Sequence, residues 1–184
     1  MQGVLLDGTI VAIKRLSSES KQGTREFTNE IGIMLSLQHP NIVKLHGLCE
    51  EDDQMLLIYE YMENSNLAHA LFGNYFTVSN GYMAPEYDMH GYLTDKADVY
   101  SFGIVILEIV SGARSTQEEP FSLVDWEEDS LMELVDPRLG KDFKKEEVIL
   151  MIDVALLCTN SSPSLRPSMS SVVSMLEGRE KSTK

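Results

Sequence analysis

The feature that most constrains this fold is a change of hydrophobic pattern about one third of the way along the chain. Residues 1–62 alternate short apolar runs with turn residues and contain one segment with helical spacing. From residue 82 onward the apolar residues recur at helical spacing. This change predicts a small sheet-containing unit followed by a unit built of helices.

The chain opens with a predicted β-hairpin. Apolar runs at residues 4–6 and 9–13 flank the dipeptide Asp7-Gly8. Asp-Gly tolerates the positive φ angles of a two-residue turn that matches the twist of the flanking strands. The pattern therefore predicts two antiparallel strands joined by a type I′ turn at this dipeptide.

One helix and two further strands complete the predicted sheet unit. Four apolar residues recur at helical spacing and would form the buried face of one helix: Phe27, Ile31, Met34 and Leu35. This helix is expected to end before His39-Pro40-Asn41. Strands are predicted over residues 42–49 and 54–61, joined by the acidic turn 50–53. The predicted order is β-β-α-β-β.

The remainder of the chain predicts helices. A short helix is expected over residues 66–72, then a brief linker, then a long apolar helix that begins after a capping Thr94 and ends near Val110. Two more apolar stripes predict helices, the second stopped by Gly178: Val148, Met151, Ile152, Ala155 and Leu156; Met169, Val172, Val173 and Leu176. The expected divisions are residues 1–62, 63–80, 81–178 and a tail at 179–184.

Charge and composition exclude several classes of protein. The 184 residues include 29 acidic and 15 basic side chains, for a formal net charge of −14, which disfavours nucleic acid as a partner. The longest apolar run, residues 99–110, is too short to cross a bilayer, so no insertion into a membrane is expected. With only two cysteines, a reducing compartment such as the cytoplasm is expected. Cys49 and Cys158 are too few for a disulfide framework, and each is expected to be a small buried apolar residue.

Short motifs in a particular order make the prediction more specific. Val11-Ala12-Ile13-Lys14 lies on a predicted strand, and Glu30 follows Lys14 by 16 positions. Further along are Ala84-Pro85-Glu86, the stretch 98–103 (Asp-Val-Tyr-Ser-Phe-Gly) and Arg166-Pro167. The set resembles protein kinases over essentially the whole chain. The amino-acid sequences of residues 91–98 and 156–160 are similar to those found in plant receptor-like serine/threonine kinases with leucine-rich-repeat ectodomains.

The resemblance implies an α+β, bilobal kinase-like fold: a small antiparallel sheet plus one helix, then a mostly helical lobe that lacks its catalytic-loop region. It also implies ATP, with Mg²⁺, as the cofactor of the family. Lys14 would hold the α- and β-phosphates and Glu30 would orient it, although a solvated lysine and a helix-surface glutamate are an alternative reading. Backbone groups near Glu60 and Met62 would contact the adenine; the alternative is that these residues form only a buried strand end.

Five more residues receive roles from the resemblance alone. Ala12 would pack on the adenine, and Tyr59 would gate the back of the pocket. Glu86 and Arg166 would form a structural ion pair, and Asp98 would hydrogen-bond the backbone of a catalytic loop. Partners would be proteins or components of a receptor complex.

Two kinase elements expected inside the chain do not occur in its sequence. No H-R-D-x-x-x-x-N motif and no D-F-G motif is present, and only residues 73–80 separate the short helix from the Ala-Pro-Glu element. The chain also begins just past the expected position of the Gly-rich loop. No catalytic base and no metal ligand can be assigned, so the chain is predicted to be catalytically inactive as it stands.

Three interpretations follow from this combination. The chain is a kinase-domain fragment of a receptor-like serine/threonine kinase, or a non-catalytic pseudokinase-like module that binds proteins, or a truncated product that folds poorly. A missing helix is expected to leave apolar surface exposed around Ile104 to Ile109 of the long helix, which would favour association.

Overall fold

The structure is a computed structural model, and the chain divides into two units. The structure describes residues 1–17, 21–51, 54–64, 66–73, 81–91, 94–115 and 128–180. The first unit comprises Met1–Asn66 and the second Leu67–Lys184. Asp52 and Asp53 of the predicted acidic turn, linker residues 74–80 and tail residues 181–184 lie outside the described residues.

The first unit is a four-stranded antiparallel sheet with one helix, as predicted. Its strands lie in the order β1-β2-β4-β3. The pairing of β2 with β4 is continuous from Val11–Glu60 to Ser17–Gln54. The elements of this unit are β1 Gln2–Val4, β2 Ile10–Ser17, α1 Lys21–Ser36, β3 Leu45–Glu51 and β4 Gln54–Glu60.

The turn between β1 and β2 differs from the predicted type I′ turn at Asp7-Gly8. The N–H of Gly8 donates to the carbonyl of Leu5 at 2.9 Å, so Leu6 and Asp7 are the central residues. Gly8 has a φ of 89°, and the Asp7 carboxylate accepts a hydrogen bond from the Thr9 N–H at 2.9 Å. The hairpin is confirmed but its turn prediction was wrong, because Gly8 takes up the positive φ after the turn.

A small apolar core joins α1 to the sheet. Met55 and Leu57 alternate on one face of β4, and Phe27 of α1 packs against them. Ile31 is half-buried beside this cluster, as its helical spacing predicts. Leu35, in contrast, is 68% exposed. Its assignment to the buried face was wrong, because Phe27 and Ile31 are the residues of α1 in the cluster that joins the helix to the sheet, and Leu35 does not belong to it.

The second unit is helical, and α4 lies within its core. Side chains of α4, α5 and α6 form the core with Leu131 and Val135 from the segment between α4 and α5. Thr94 precedes α4 in extended conformation, although its side chain makes no capping hydrogen bond. The helices are α2 Leu67–Phe72, α3 Pro85–His90, α4 Asp95–Ser111, α5 Lys145–Cys158 and α6 Met169–Leu176, with 3₁₀ turns at Glu128–Leu134, Pro137–Leu139 and Pro163–Leu165.

The expected exposure of apolar surface from Ile104 to Ile109 was wrong for Ile104, Ile106 and Leu107 and correct for Ile109. Ile104, Ile106 and Leu107 are each no more than 3% exposed, whereas Ile109 is 38% exposed. The buried side chains of α5 and α6 belong to the same cluster as these three residues and cover them. The second unit therefore has a closed core among the residues that the structure describes.

Close packing of α4 against α5 depends on a glycine. A Cβ at Gly103 would lie 2.7 Å from the Cβ of Cys158 and 2.8 Å from the Cγ2 of Thr159. Cys158 is buried, as predicted, and burial raises the pKa of its thiol to about 11. The other cysteine, Cys49, is only partly buried. Cys158 is thus a packing residue at the closest approach of two helices.

We expect Gly103→Ala to destabilise the protein by about 1–3 kcal/mol, because the helix propensity that alanine gains is outweighed by overpacking against α5. Gly32→Ala in α1 is the matched control. A Cβ there meets nothing within 4 Å, so this change should stabilise the protein by up to about 1 kcal/mol. Urea unfolding followed by circular dichroism measures both, and equal effects would contradict the packing described for Gly103.

Candidate functional site

The candidate site in the first unit is built around an ion pair between β2 and α1. The Nζ of Lys14 lies 2.6 Å from Oε2 of Glu30. Phe27 anchors α1 to the sheet, and Glu30 follows it by three residues, so it lies near the same face of the helix. The Lys14 side chain is 49% exposed, which leaves its ammonium group open to an anion while Glu30 fixes its direction.

Tyr59 of β4 engages the other oxygen of the same glutamate. Its hydroxyl donates a hydrogen bond to Oε1 of Glu30. Burial raises the pKa of Glu30, but the hydrogen bonds from Lys14 and Tyr59 outweigh it and hold that pKa below its ordinary value. Burial and the hydrogen bond to Glu30 raise the pKa of Tyr59 well above its usual range. Glu30 is therefore ionised and held from two strands.

Sequence reasoning missed the contact between Tyr59 and Glu30. Tyr59 alternates with Met55 and Leu57 on the face of β4 that packs against α1, and this alternation is the signal that could have found it. Tyr59 also pairs in register with Ala12 of β2. Ala12, partly buried, thus lies beside the tyrosine that was predicted to close the back of a nucleotide pocket.

At the strand end that was predicted to contact adenine, one backbone group already makes a hydrogen bond within the protein. The backbone N–H of Glu60 donates to the carbonyl of Lys44 at 2.9 Å, so that N–H is not open to a ligand. Met62 lies beyond the end of β4 and is 46% exposed. A ligand at this edge would therefore rely on the remaining backbone groups around Met62.

The residues that the structure describes do not form a metal site. Within the described ranges, no group of three or more His, Cys, Asp and Glu side chains is placed to hold a metal ion. Asp98 is exposed in the first turn of α4, with no side-chain partner recorded among the described residues. The described residues therefore do not fit the Mg²⁺ that the family uses.

In the second unit the structure places Arg166 and Glu86 in a bidentate ion pair. The guanidinium nitrogens lie 2.6 and 2.8 Å from the two carboxylate oxygens. The Arg166 side chain is completely buried, and it also donates to the carbonyls of Asn160 at 2.7 Å and Lys96 at 2.9 Å. A buried guanidinium with this many partners has its charge and most of its donors satisfied.

Two further residues complete the surroundings of Arg166. The guanidinium carbon lies 4.9 Å from the centre of the Tyr100 ring, within the range of a cation–π contact. The Nζ of Lys96 donates to the carbonyls of Arg166 and Pro167 at 2.7 and 3.1 Å. The network therefore connects α3, the first turns of α4 and the segment between α5 and α6.

Glu108, a buried acid, was also missed as a network residue. It is 2% exposed, and its oxygens accept hydrogen bonds from the Tyr82 hydroxyl at 2.5 Å and the Ser115 N–H at 2.9 Å. Burial and the bond to Glu108 raise the pKa of Tyr82 to about 12. The sequence signal that could have found Glu108 is a single carboxylate within an otherwise apolar helical run, because a buried charge requires partners.

We expect Arg166→Ala to destabilise the protein by about 3–5 kcal/mol, because it leaves the Glu86 carboxylate and two carbonyls without their buried donor. The control is Lys144→Ala, which removes an exposed pair with Glu147 and should leave the melting temperature unchanged. A melting temperature for Arg166→Ala equal to that of the control would contradict the stabilising role of the pair.

The same pair makes stability depend on pH. The hydrogen bond from Arg166 lowers the pKa of Glu86 in the folded protein, so its contribution is complete above the unfolded-state pKa and is lost as the pH falls through the lowered value. Glu86→Gln should therefore be less stable than the unmodified chain at pH 7, and the gap should shrink in acid. Urea titrations from pH 7 to pH 3 measure the gap, and a constant gap would contradict this linkage.

Comparison with known proteins places these features in a family. A model of the family "Protein tyrosine and serine/threonine kinase" matches residues 3–80 and 74–176. The probable LRR receptor-like serine/threonine-protein kinase At1g53430 of Arabidopsis thaliana is 44% identical over 98% of this chain and 25% of its own length. Another probable leucine-rich repeat receptor-like kinase of Arabidopsis thaliana, At3g14840, is 41% identical over 96% of this chain and 25% of its length. The chain thus spans about a quarter of the length of these relatives.

The comparison also locates an internal difference. The match to At1g53430 extends over 261 residues, whereas 98% of this 184-residue chain is about 180 residues, so about 80 positions of the relative have no counterpart here. The two stretches that match the family model meet at residues 74–80. This chain is thus shorter than the matching region of that relative, and it belongs to the protein tyrosine and serine/threonine kinase family.

Proposed function

We propose that this chain is a non-catalytic kinase-family module of receptor-like signalling that contacts an adenine nucleotide through Lys14 but does not transfer its phosphate. The observation that carries the proposal is the ion pair of 2.6 Å between Lys14 and Glu30. A lysine held in one direction and half exposed is a ready donor to phosphate oxygens.

Phosphoryl transfer by protein kinases requires groups that no motif of this sequence supplies. Protein kinases use ATP with Mg²⁺, an aspartate that accepts the proton of the substrate hydroxyl, and residues that bind the metal. In the family these groups belong to the H-R-D-x-x-x-x-N and D-F-G motifs, and neither motif occurs in this sequence. Lys14 would bind and orient the phosphates, but the chain supplies no assigned group for the remaining steps.

The setting of the module follows from its relatives. They are named as receptor-like kinases, so we propose protein components of a receptor complex as partners and the cytoplasmic side of a membrane as the location. The formal charge of −14 argues against nucleic acid as a partner. Among the described residues, no helix has both the length and the apolar character needed to cross a bilayer.

Nucleotide binding is tested by thermal unfolding of the chain with ATP, in the presence and absence of Mg²⁺. We expect ATP to raise the melting temperature, because a ligand that binds only the folded state stabilises it. Lys14→Met should weaken binding by about tenfold or more, since it removes a charge-assisted contact. The control is Arg15→Met, whose side chain points to the opposite face of β2.

A melting temperature that ATP does not change, or an equal loss in Arg15→Met, would contradict the proposed contact. The second part of the proposal has its own measurement. Incubation with radiolabelled ATP, Mg²⁺ and a generic protein substrate should give no incorporation above a blank without the chain. Incorporation that Lys14→Met abolishes would show that the chain is catalytic after all.

A further inference from the structure

The carboxylate that contacts Lys14 has donors on both of its oxygens. Oε2 of Glu30 accepts a hydrogen bond from the Nζ of Lys14 at 2.6 Å, and Oε1 accepts one from the hydroxyl of Tyr59. Mg²⁺ demands near-ideal octahedral geometry at its oxygen ligands. To bind Glu30, the ion would have to displace one of these donors or share the carboxylate with the Lys14 ammonium group, which repels it.

The sheet face around Lys14 offers no further carboxylate on the two central strands. Side chains alternate along a strand, and residues paired in register lie on the same face. The residues that share the face of Lys14 on β2 and β4 are all uncharged: Ile10, Ala12 and Leu16; Met55, Leu57 and Tyr59. Lys14 is therefore the only charged side chain on this face of these two strands.

The helix that covers this face contains one acidic residue besides Glu30. Glu26 is exposed and precedes Glu30 by about one helical turn. Mg²⁺ that is carried by phosphates usually binds one or two protein carboxylates as well. Glu26 is thus the residue of α1 to vary in a test for a metal ion next to Lys14.

We propose that the Lys14 site takes ATP in its metal-free form, and that Mg²⁺ weakens this binding instead of supporting it. The inference rests on the proposed nucleotide contact of Lys14 and specifies the form of the ligand. Lys14 and Mg²⁺ compete, because both bind oxygens of the polyphosphate. Since the carboxylate beside Lys14 is already engaged, the metal gains little from the protein and occupies oxygens that the ammonium group would contact.

Two electrostatic effects act in opposite directions. Mg²⁺ neutralises about two of the roughly four negative charges of ATP at neutral pH, so the attraction between the polyphosphate and Lys14 falls. The formal charge of −14 on the chain repels free ATP more strongly than its magnesium complex. This general repulsion is screened over about 8 Å at physiological ionic strength, whereas a direct contact with Lys14 is screened much less. At that ionic strength the contact determines the direction of the effect.

The test is isothermal titration calorimetry of the 184-residue chain with ATP, in EDTA or in excess Mg²⁺ at the same physiological ionic strength. We expect Mg²⁺ to raise the Kd for ATP about three- to tenfold, because the charge-assisted contact with Lys14 is weakened but not lost. The matched control is Glu26→Gln, which removes the other carboxylate of α1 and should keep the full effect of Mg²⁺.

A Kd that Mg²⁺ leaves unchanged or lowers would overturn the inference and leave the contact between ATP and Lys14 intact. A change with Mg²⁺ that disappears in Glu26→Gln would also overturn it, because the metal would then act through that carboxylate. Failure of the proposed function has a different result. ATP would bind in neither condition, or Lys14→Met would bind it as well as the unmodified chain in both.

Discussion

The second unit depends on one buried charge. Arg166 lies completely out of contact with water, and a guanidinium in that position is tolerated only because a carboxylate and backbone carbonyls surround it. Glu86 is 80 residues away in sequence, so the pair specifies how α3 lies against the segment that follows α5. A hydrophobic contact would permit sliding, whereas a bidentate pair with two parallel bonds permits one arrangement. The apolar core supplies most of the stabilising burial, and Arg166 selects the arrangement in which the core closes.

In the first unit, Glu30 is the central residue of the main polar contacts, as Arg166 is in the second. Its contacts affect the orientation of a side chain more than the stability of the unit. One of its oxygens is bound to Lys14 and the other to Tyr59, so the helix α1 is connected to both central strands of the sheet. The pair with Lys14 is partly exposed and contributes less to stability than a buried pair does. Its effect is directional: it keeps an ammonium group at the surface in a fixed orientation. The two ion pairs thus differ in effect: the buried pair stabilises the second unit, whereas the exposed pair orients a side chain of the first unit.

Much of this fold could be predicted from the sequence, because its elements are long and strongly periodic. The spacing of apolar residues predicted α4, α5 and α6, and the alternation predicted β2 and β4. The sequence predictions were wrong or incomplete where the surroundings of a side chain depend on segments that are far apart in the chain. Leu35 has the right helical spacing for burial, but it is exposed and does not belong to the cluster that joins α1 to the sheet. The contact between Tyr59 and Glu30 spans 29 positions and requires the register of β4 against α1, which no local pattern specifies.

The same locality explains how a shortened kinase domain can keep organised parts. About 80 positions of the relative At1g53430 have no counterpart in this chain, and the two stretches that match the family model overlap at residues 74–80. Every residue that holds Lys14 in place lies before Asn66, and every residue that holds Arg166 lies after Tyr82. The apolar clusters are likewise assembled separately within these two stretches. A shortening between these two stretches therefore removes no described member of either network. Each network depends on residues of its own stretch, so each can form in a chain that lacks the additional positions of the relative.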